Sequence, residues 1–88
     1  MNNFIAQWIV DFYINDDKII ECLGDYWHCN PSKFDRSNPN IIQKKNIDRD
    51  KRKEQYCRDN NIAYLFLWEK DIKHNNKVQK QIEKFVIA

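Results

Sequence analysis

Residues 4–14 (FIAQWIVDFYI) place apolar, aromatic and β-branched side chains almost without interruption, which predicts a β-strand. Asn15, Asp16 and Asp17 then give a turn signal. Residues 18–23 (KIIECL) read as a second strand, and a hairpin is the simplest connection to the first. Gly24 is expected to end that strand, as the residue that takes positive φ most cheaply. Residues 25–40 hold Pro31 and Pro39 among Ser and Asn and read as a loop. Residues 41–60 read as a helix with a poor apolar stripe (Ile42, Ile47, Tyr56, Cys57), so most of its surface is expected to be solvated or to face a charged partner. Asn60 and Asn61 form its stop. Residues 62–68 (IAYLFLW) are continuously apolar, the pattern of a strand buried on both faces. A last helix, capped by Asn75 or Asn76, runs to about residue 87 and buries Val78, Ile82, Phe85 and Val86. The order is β-β-α-β-α. It predicts an α/β fold whose crossover, through the long helix, is right-handed.

Composition narrows the class. Eighty-eight residues, 42% hydrophobic, are expected to form a single small domain over residues 1–88 with a thin stability margin. A net charge of +2 points to no partner by itself, but the cations are clustered. Lys44, Lys45, Arg49, Lys51, Arg52, Lys53 and Arg58 form one group; Lys70, Lys73, Lys77, Lys80 and Lys84 form a second. Cys22, Cys29 and Cys57 are an odd number without CxxC spacing, which argues against a disulfide framework and a zinc module. Each is expected to be a small buried hydrophobe, in a reducing, intracellular setting. No apolar run approaches the roughly 20 residues of a membrane helix, and the first residues lack a signal-peptide pattern.

The hairpin carries the candidate chemistry. With a three-residue turn at positions 15–17, Ile14 faces Lys18 and Asp11 faces Glu21. Opposed carboxylates about 5 Å apart destabilise a sheet, and apolar neighbours raise the cost. A divalent cation between them removes the conflict, since Mg²⁺ takes one or two carboxylates with waters and phosphate oxygens. Two alternatives stand beside this. The acids can simply face solvent on an open side of the sheet, and a two-residue turn would pair Asp11 with Cys22 instead.

His28 follows just beyond the strand, either as a general acid or base near neutral pH or as a structural loop histidine. Tyr26 and Trp27 suit stacking on a base or sugar, or else anchor the loop. Asp25 is a further metal ligand or a loop cap. On the long helix, the run of charges from 48 to 53 reads as phosphate contacts or as solvated i,i+4 pairs such as Asp48–Arg52 and Glu54–Arg58. Glu69 reads as a supporting carboxylate or a structural cap.

Taken together, VDFYI, the segment IIECLGDYWHCNP, the basic DRDKRK run and IAYLFLWEKDI resemble the very-short-patch-repair endonuclease family. They are more similar still to the related viral and phage homing-type endonucleases of the PD-(D/E)XK nuclease superfamily. The match covers residues 10–72. The resemblance implies a small restriction-endonuclease-like core, three-layered with a mixed sheet, and Mg²⁺- (or Mn²⁺-) dependent DNA endonuclease activity, by nicking or cleavage. It implies Asp11 and Glu21 as catalytic metal ligands with the backbone carbonyl of Cys22, and His28 as a catalytic partner. Trp27 matches an aromatic that such enzymes place near DNA, and Tyr26, Lys44, Lys45, Arg49, Lys51 and Arg52 are the further DNA-binding candidates. Leu23 stands where the superfamily carries a lysine, so that role is expected at His28 or Lys51. The structural zinc of the repair enzymes is not carried over, because Asp25 and Asn30 stand at the corresponding positions. The helix that relatives place before the first strand is not seen, which leaves a minimal domain, a fragment or half of an assembly, such as a homodimer or a larger partner protein. The competing function is a catalytically degenerate DNA-binding accessory domain of the same fold. A weaker one is a protein-interaction module using exposed aromatics.

Overall fold

The computed structural model describes residues 4–5, 8–73 and 76–88. Among these described residues, five strands, β1 (Phe4–Ile5), β2 (Trp8–Ile9), β3 (Phe12–Ile14), β4 (Lys18–Leu23) and β5 (Ala63–Trp68), accompany three helices, α1 (Ile41–Asp59), α2 (Glu69–Ile72) and α3 (Asn76–Ile87).

The turn after β3 sets the sheet. Asn15 and Asp16 take left-handed backbone, with φ of 52° and 60°, a conformation that Asn and Asp tolerate well among residues with side chains. The Asp17 N–H closes onto the Ile14 carbonyl at 3.2 Å. Ile14 therefore pairs with Lys18, Tyr13 with Ile19 and Phe12 with Ile20, as the three-residue turn requires. β5 then lies parallel to β4, from Lys18 opposite Ala63 to Leu23 opposite Trp68. The sheet order is β3-β4-β5, mixed, with β4 in the centre and α1 as the crossover.

Adjacent Ile19 and Ile20, both buried, feed opposite faces. On one face Ile19, Tyr13, Tyr64 and Phe66 pack with Tyr56 and Cys57 of α1 and with Ile5, Trp8 and Val10. On the other, Ile20, Ile14, Leu65 and Leu67 pack with Val78, Ile82, Phe85 and Val86 of α3. The result is three layers, α/β/α, and the expected apolar stripe of the last helix is the one buried.

Several expectations need correcting. Residues 4–14 are not one strand: β1 and β2 pair with each other as a small antiparallel hairpin, and the chain bends at Asp11 before β3. β5 is covered on both faces but stands at the edge of the sheet, so most of it is only half-buried. Gly24 does not have positive φ; the left-handed positions among the described residues are Asn15, Asp16, Cys29 and Asn61. A Cβ at Gly24 would sit 3.4 Å from Trp27 Cδ1, an ordinary van der Waals contact. Cys29 and Cys57 are fully buried, but Cys22 is exposed. It lies two residues past the end of the β3 pairing, where that strand no longer flanks β4. Ile42 is exposed as well. The helical turn α2 directly follows β5, and the cap expected at Asn75 lies outside the described residues.

α1 is closed at both ends by asparagine chemistry. Asn40 Oδ1 accepts the Gln43 N–H at 2.8 Å while Gln43 Oε1 accepts the Asn40 N–H at 3.0 Å, a reciprocal cap. Asn60 ends the helix and Asn61, at φ 55°, turns the chain away. The buried stripe is Gln43, Ile47, Asp50, Lys53 and Cys57, three of its five members polar in a way that needs partners. No helix among the described residues is long and apolar enough to cross a membrane.

Candidate active site

Asp11 stands opposite Glu21, one step beyond the last paired residues Phe12 and Ile20. Its side chain replaces the strand that ends there: Asp11 Oδ2 accepts the Cys22 N–H at 2.7 Å. A carboxylate taking a main-chain donor explains the bend that the apolar run concealed. An extended residue projects its N–H and C=O to the same edge, so the Cys22 carbonyl faces the Asp11 edge too. Asp11 is exposed, whereas Glu21 is 6% exposed.

Glu21 lies on the α1 face of the sheet, alternating with Ile19 and Leu23. Lys53 Nζ donates to Glu21 Oε2 at 2.7 Å, and both side chains are closed off from solvent. Burial pushes the Glu21 carboxyl above its usual range; the Lys53 ammonium pulls it back down, and the charges of Asp11 and Asp50 push it up again. Three carboxylates and one lysine thus share one electrostatic neighbourhood. The lysine that reaches Glu21 from α1 is Lys53. Lys51, the helix lysine expected near the site, is exposed and lines a cavity on another flank of the helix.

His28 is fixed by the same helix. Its Nδ1 lies 2.7 Å from Asp50 Oδ2. With Nδ1–H donating to the carboxylate, Nε2 is the free basic nitrogen. The loop that carries His28 has no regular structure, yet every carbonyl from 24 to 30 has a donor. Gly24, Asp25 and Asn30 receive local backbone N–H groups. The Tyr26 carbonyl also takes Gln43 Nε2, that of Trp27 takes Asn46 Nδ2, and those of His28 and Cys29 take Arg36. The first turns of α1 therefore hold the loop and present Asp50 to it.

Among the described residues, no group of three or more His, Cys, Asp or Glu side chains is arranged to hold a metal ion. Asp11 and Glu21 each have at least one oxygen engaged by an N–H donor. A pair of carboxylates at the end of the β3–β4 pairing fits Mg²⁺ held largely by waters and phosphate oxygens, and does not fit a closed protein cage.

The supporting acids serve the loop. The Asp25 carboxyl is penalised by burial, but hydrogen bonds from Asn30 and Lys33 and from the Lys70 N–H outweigh this and hold it below the usual range. Glu69 Oε1 accepts the Asp25 N–H at 3.2 Å and Oε2 pairs with Lys73. Both act as caps here, the second of the readings open to each. Tyr26 anchors the loop, its hydroxyl accepting from Asn40 and its ring set edge-on to Trp27 and Phe34. Trp27 is 54% exposed.

Lys44, Lys45, Arg49, Lys51 and Arg52 are exposed on α1. Lys45, Arg49 and Arg52 recur at i, i+4 and i+7 and form one stripe. Arg49 and Arg52 line a groove of about 560 Å³ with Trp8, Ile9 and Lys53. Arg58, expected to pair with Glu54, instead donates to Gln55 and to the Tyr64 hydroxyl.

Asp50 and Lys53 are the members that sequence reasoning missed. A helical wheel anchored on Ile47 and Cys57 places both on the inner stripe, and that was the available signal. No protein-family model, no curated protein and no solved structure matches the chain.

Proposed function

We propose that this chain is a divalent-metal-dependent DNA endonuclease domain that hydrolyses phosphodiester bonds. The observation that carries the reading is the convergence of Asp11, Glu21, Lys53 and the His28–Asp50 pair at one end of the hairpin, beside a cation-lined groove. The resemblance to very-short-patch-repair and homing-type endonucleases supports it. So does the chain path, a hairpin passing through a crossover helix into a parallel strand with helices on both faces, which agrees with a restriction-endonuclease-like core.

Asp11 and Glu21 would hold Mg²⁺ or Mn²⁺, with the Cys22 carbonyl on the same edge. When bound, such an ion polarises the phosphoryl group and makes its water more acidic. His28, oriented by Asp50, accepts a proton from the attacking water at Nε2. Lys53 balances Glu21 and supplies positive charge to the phosphate as negative charge develops. Arg49, Arg52 and Lys45 bind backbone phosphates and fix register. Trp27 offers its exposed ring for stacking.

The test is nicking of supercoiled plasmid in Mg²⁺ or Mn²⁺. Wild type is expected to cleave, EDTA to stop it and Asp11→Ala to abolish it. A folded wild type that cleaves no DNA with any divalent metal sinks the reading. One observation favours a second reading, a degenerate DNA-binding domain: Glu21 is already neutralised and enclosed by Lys53. That reading expects salt-dependent DNA binding, unchanged by Asp11→Ala, without cleavage.

A further inference from the structure

The buried stripe of α1 leaves one atom unaccounted for. Asp50 is 8% exposed, its Oδ2 is taken by His28, and its Oδ1 is buried with no hydrogen-bond partner among the described residues. A buried acceptor without a donor is costly and calls for one. Asp50 lines a cavity of about 280 Å³, between the flank of α1 and the carboxyl ends of the parallel strands β4 and β5, the end at which open α/β sheets bind ligands. Phe66 and Trp68, two residues apart on one face of β5, give it an aromatic wall, with the Arg36 guanidinium 5.8 Å from the Trp68 ring centroid. Its polar lining is divided by chemistry. Asp50 and Glu54 only accept hydrogen bonds when ionised, and Lys51 only donates.

We propose that this cavity receives a nucleobase of the bound strand and that guanine is its best occupant, an inference that rests on the nucleic-acid reading above. A flat heterocycle suits the aromatic wall, as in enzymes that seat an unstacked base in a side pocket. The acidic side selects among bases. Guanine is the common base whose exocyclic amine adjoins a ring N–H, so two neighbouring donors meet the carboxylates. In adenine and cytosine the amine adjoins a ring lone pair on the pairing edge, which a carboxylate repels. Thymine has a single N–H between two carbonyls. Guanine O6 and N7, both acceptors, suit Lys51. Asp50 then joins base recognition through Oδ1 to orientation of His28 through Oδ2.

The experiment titrates GMP, AMP, CMP and TMP into the intact chain in EDTA, following the Trp68 indole resonance by NMR. GMP is expected to bind about tenfold or more tighter than TMP, the discrimination typical of one good bidentate contact. Asp50→Asn keeps the shape, but once its oxygen takes the His28 N–H it turns a donor toward the cavity, so the GMP preference should vanish. Glu54→Gln, on the cavity rim, should weaken GMP selectively and serves where Asp50→Asn does not fold. Equal binding of the four nucleotides, or a preference unchanged in the folded variants, overturns the proposal. Because no metal is present, the outcome separates from that of the nuclease assay. Cleavage without guanine preference removes only the pocket, and guanine preference without cleavage removes only the hydrolytic activity.

Discussion

Lys53 Nζ lies 2.7 Å from Glu21 Oε2, and each side chain keeps only 7% of its surface exposed. Two charges withdrawn together from water are tolerable while paired and costly apart. Lys53→Met alone is expected to destabilise the fold by about 3–5 kcal/mol, because it leaves Glu21 buried without its counter-charge. The double variant Lys53→Met with Glu21→Leu should recover most of that loss. Urea unfolding of the two single variants and the double measures the coupling; additive losses would refute it.

Glu21 and Asp25 should bend the pH dependence of stability in opposite directions. Burial holds the folded pKa of Glu21 above its ordinary 4.5. Its contribution is therefore fully present below pH 4.5 and is lost as pH rises through the folded value. The stability difference between wild type and Glu21→Gln should shrink across that window as pH rises. Asp25 is held below its ordinary 3.8 by Asn30, Lys33 and the Lys70 N–H. Its contribution is present above 3.8 and is lost as pH falls through the lower folded value. Wild type should exceed Asp25→Asn in stability at neutral pH and lose that advantage in strong acid. Denaturant midpoints recorded against pH read both slopes.

The His28–Asp50 pair should behave as one unit. If His28 moves the proton, His28→Ala lowers the cleavage rate by about 10²- to 10⁴-fold. Adding Asp50→Ala to that variant should cost little more, since groups that act together are strongly non-additive. Single-turnover cleavage rates decide it. Asp50→Asn should also displace the limb of the pH–rate profile that depends on the histidine, which a purely structural role would not do.

Arg49 and Arg52 line the groove beside Lys53, and each is expected to neutralise one backbone phosphate. Arg49→Ala and Arg52→Ala should each lower the slope of log affinity against log salt by about one and weaken binding alike for all sequences. Lys80→Ala, on α3, should leave the slope unchanged. Binding isotherms over a salt series give the slopes directly.

Much of the fold was legible in the chain. Asn15 and Asp16 are among the few residues that take consecutive left-handed conformations cheaply, so the turn, and with it the Asp11–Glu21 register, could be read from composition. The apolar run of residues 62–68 announced a strand covered on both faces, and the stripe from Val78 to Val86 announced α3. The break at Asp11 was not legible. Its cause is a hydrogen bond to Cys22, eleven residues away, and an apolar run carries no trace of such a bond. Asp50 and Lys53 were hidden for a different reason. Amphipathic reading assumes that buried positions are apolar, and the inner face of α1 is instead built from polar side chains matched to His28 and Glu21. Lys53 meets Glu21 and Lys51 does not, because on a helix a step of two residues changes the face.

The carbonyls from 24 to 30, each already met by a donor, also bear on how the proposed DNA substrate would be engaged. A loop that remains free until its ligand arrives gives up backbone and rotamer entropy at the moment of contact, and its affinity is reduced accordingly. Here that freedom is surrendered during folding, when Gln43, Asn46 and Arg36 close on the loop. On the nuclease reading, Trp27 and His28 would thus meet a strand with their backbone already ordered, and contact energy gained there would not be diminished by that ordering.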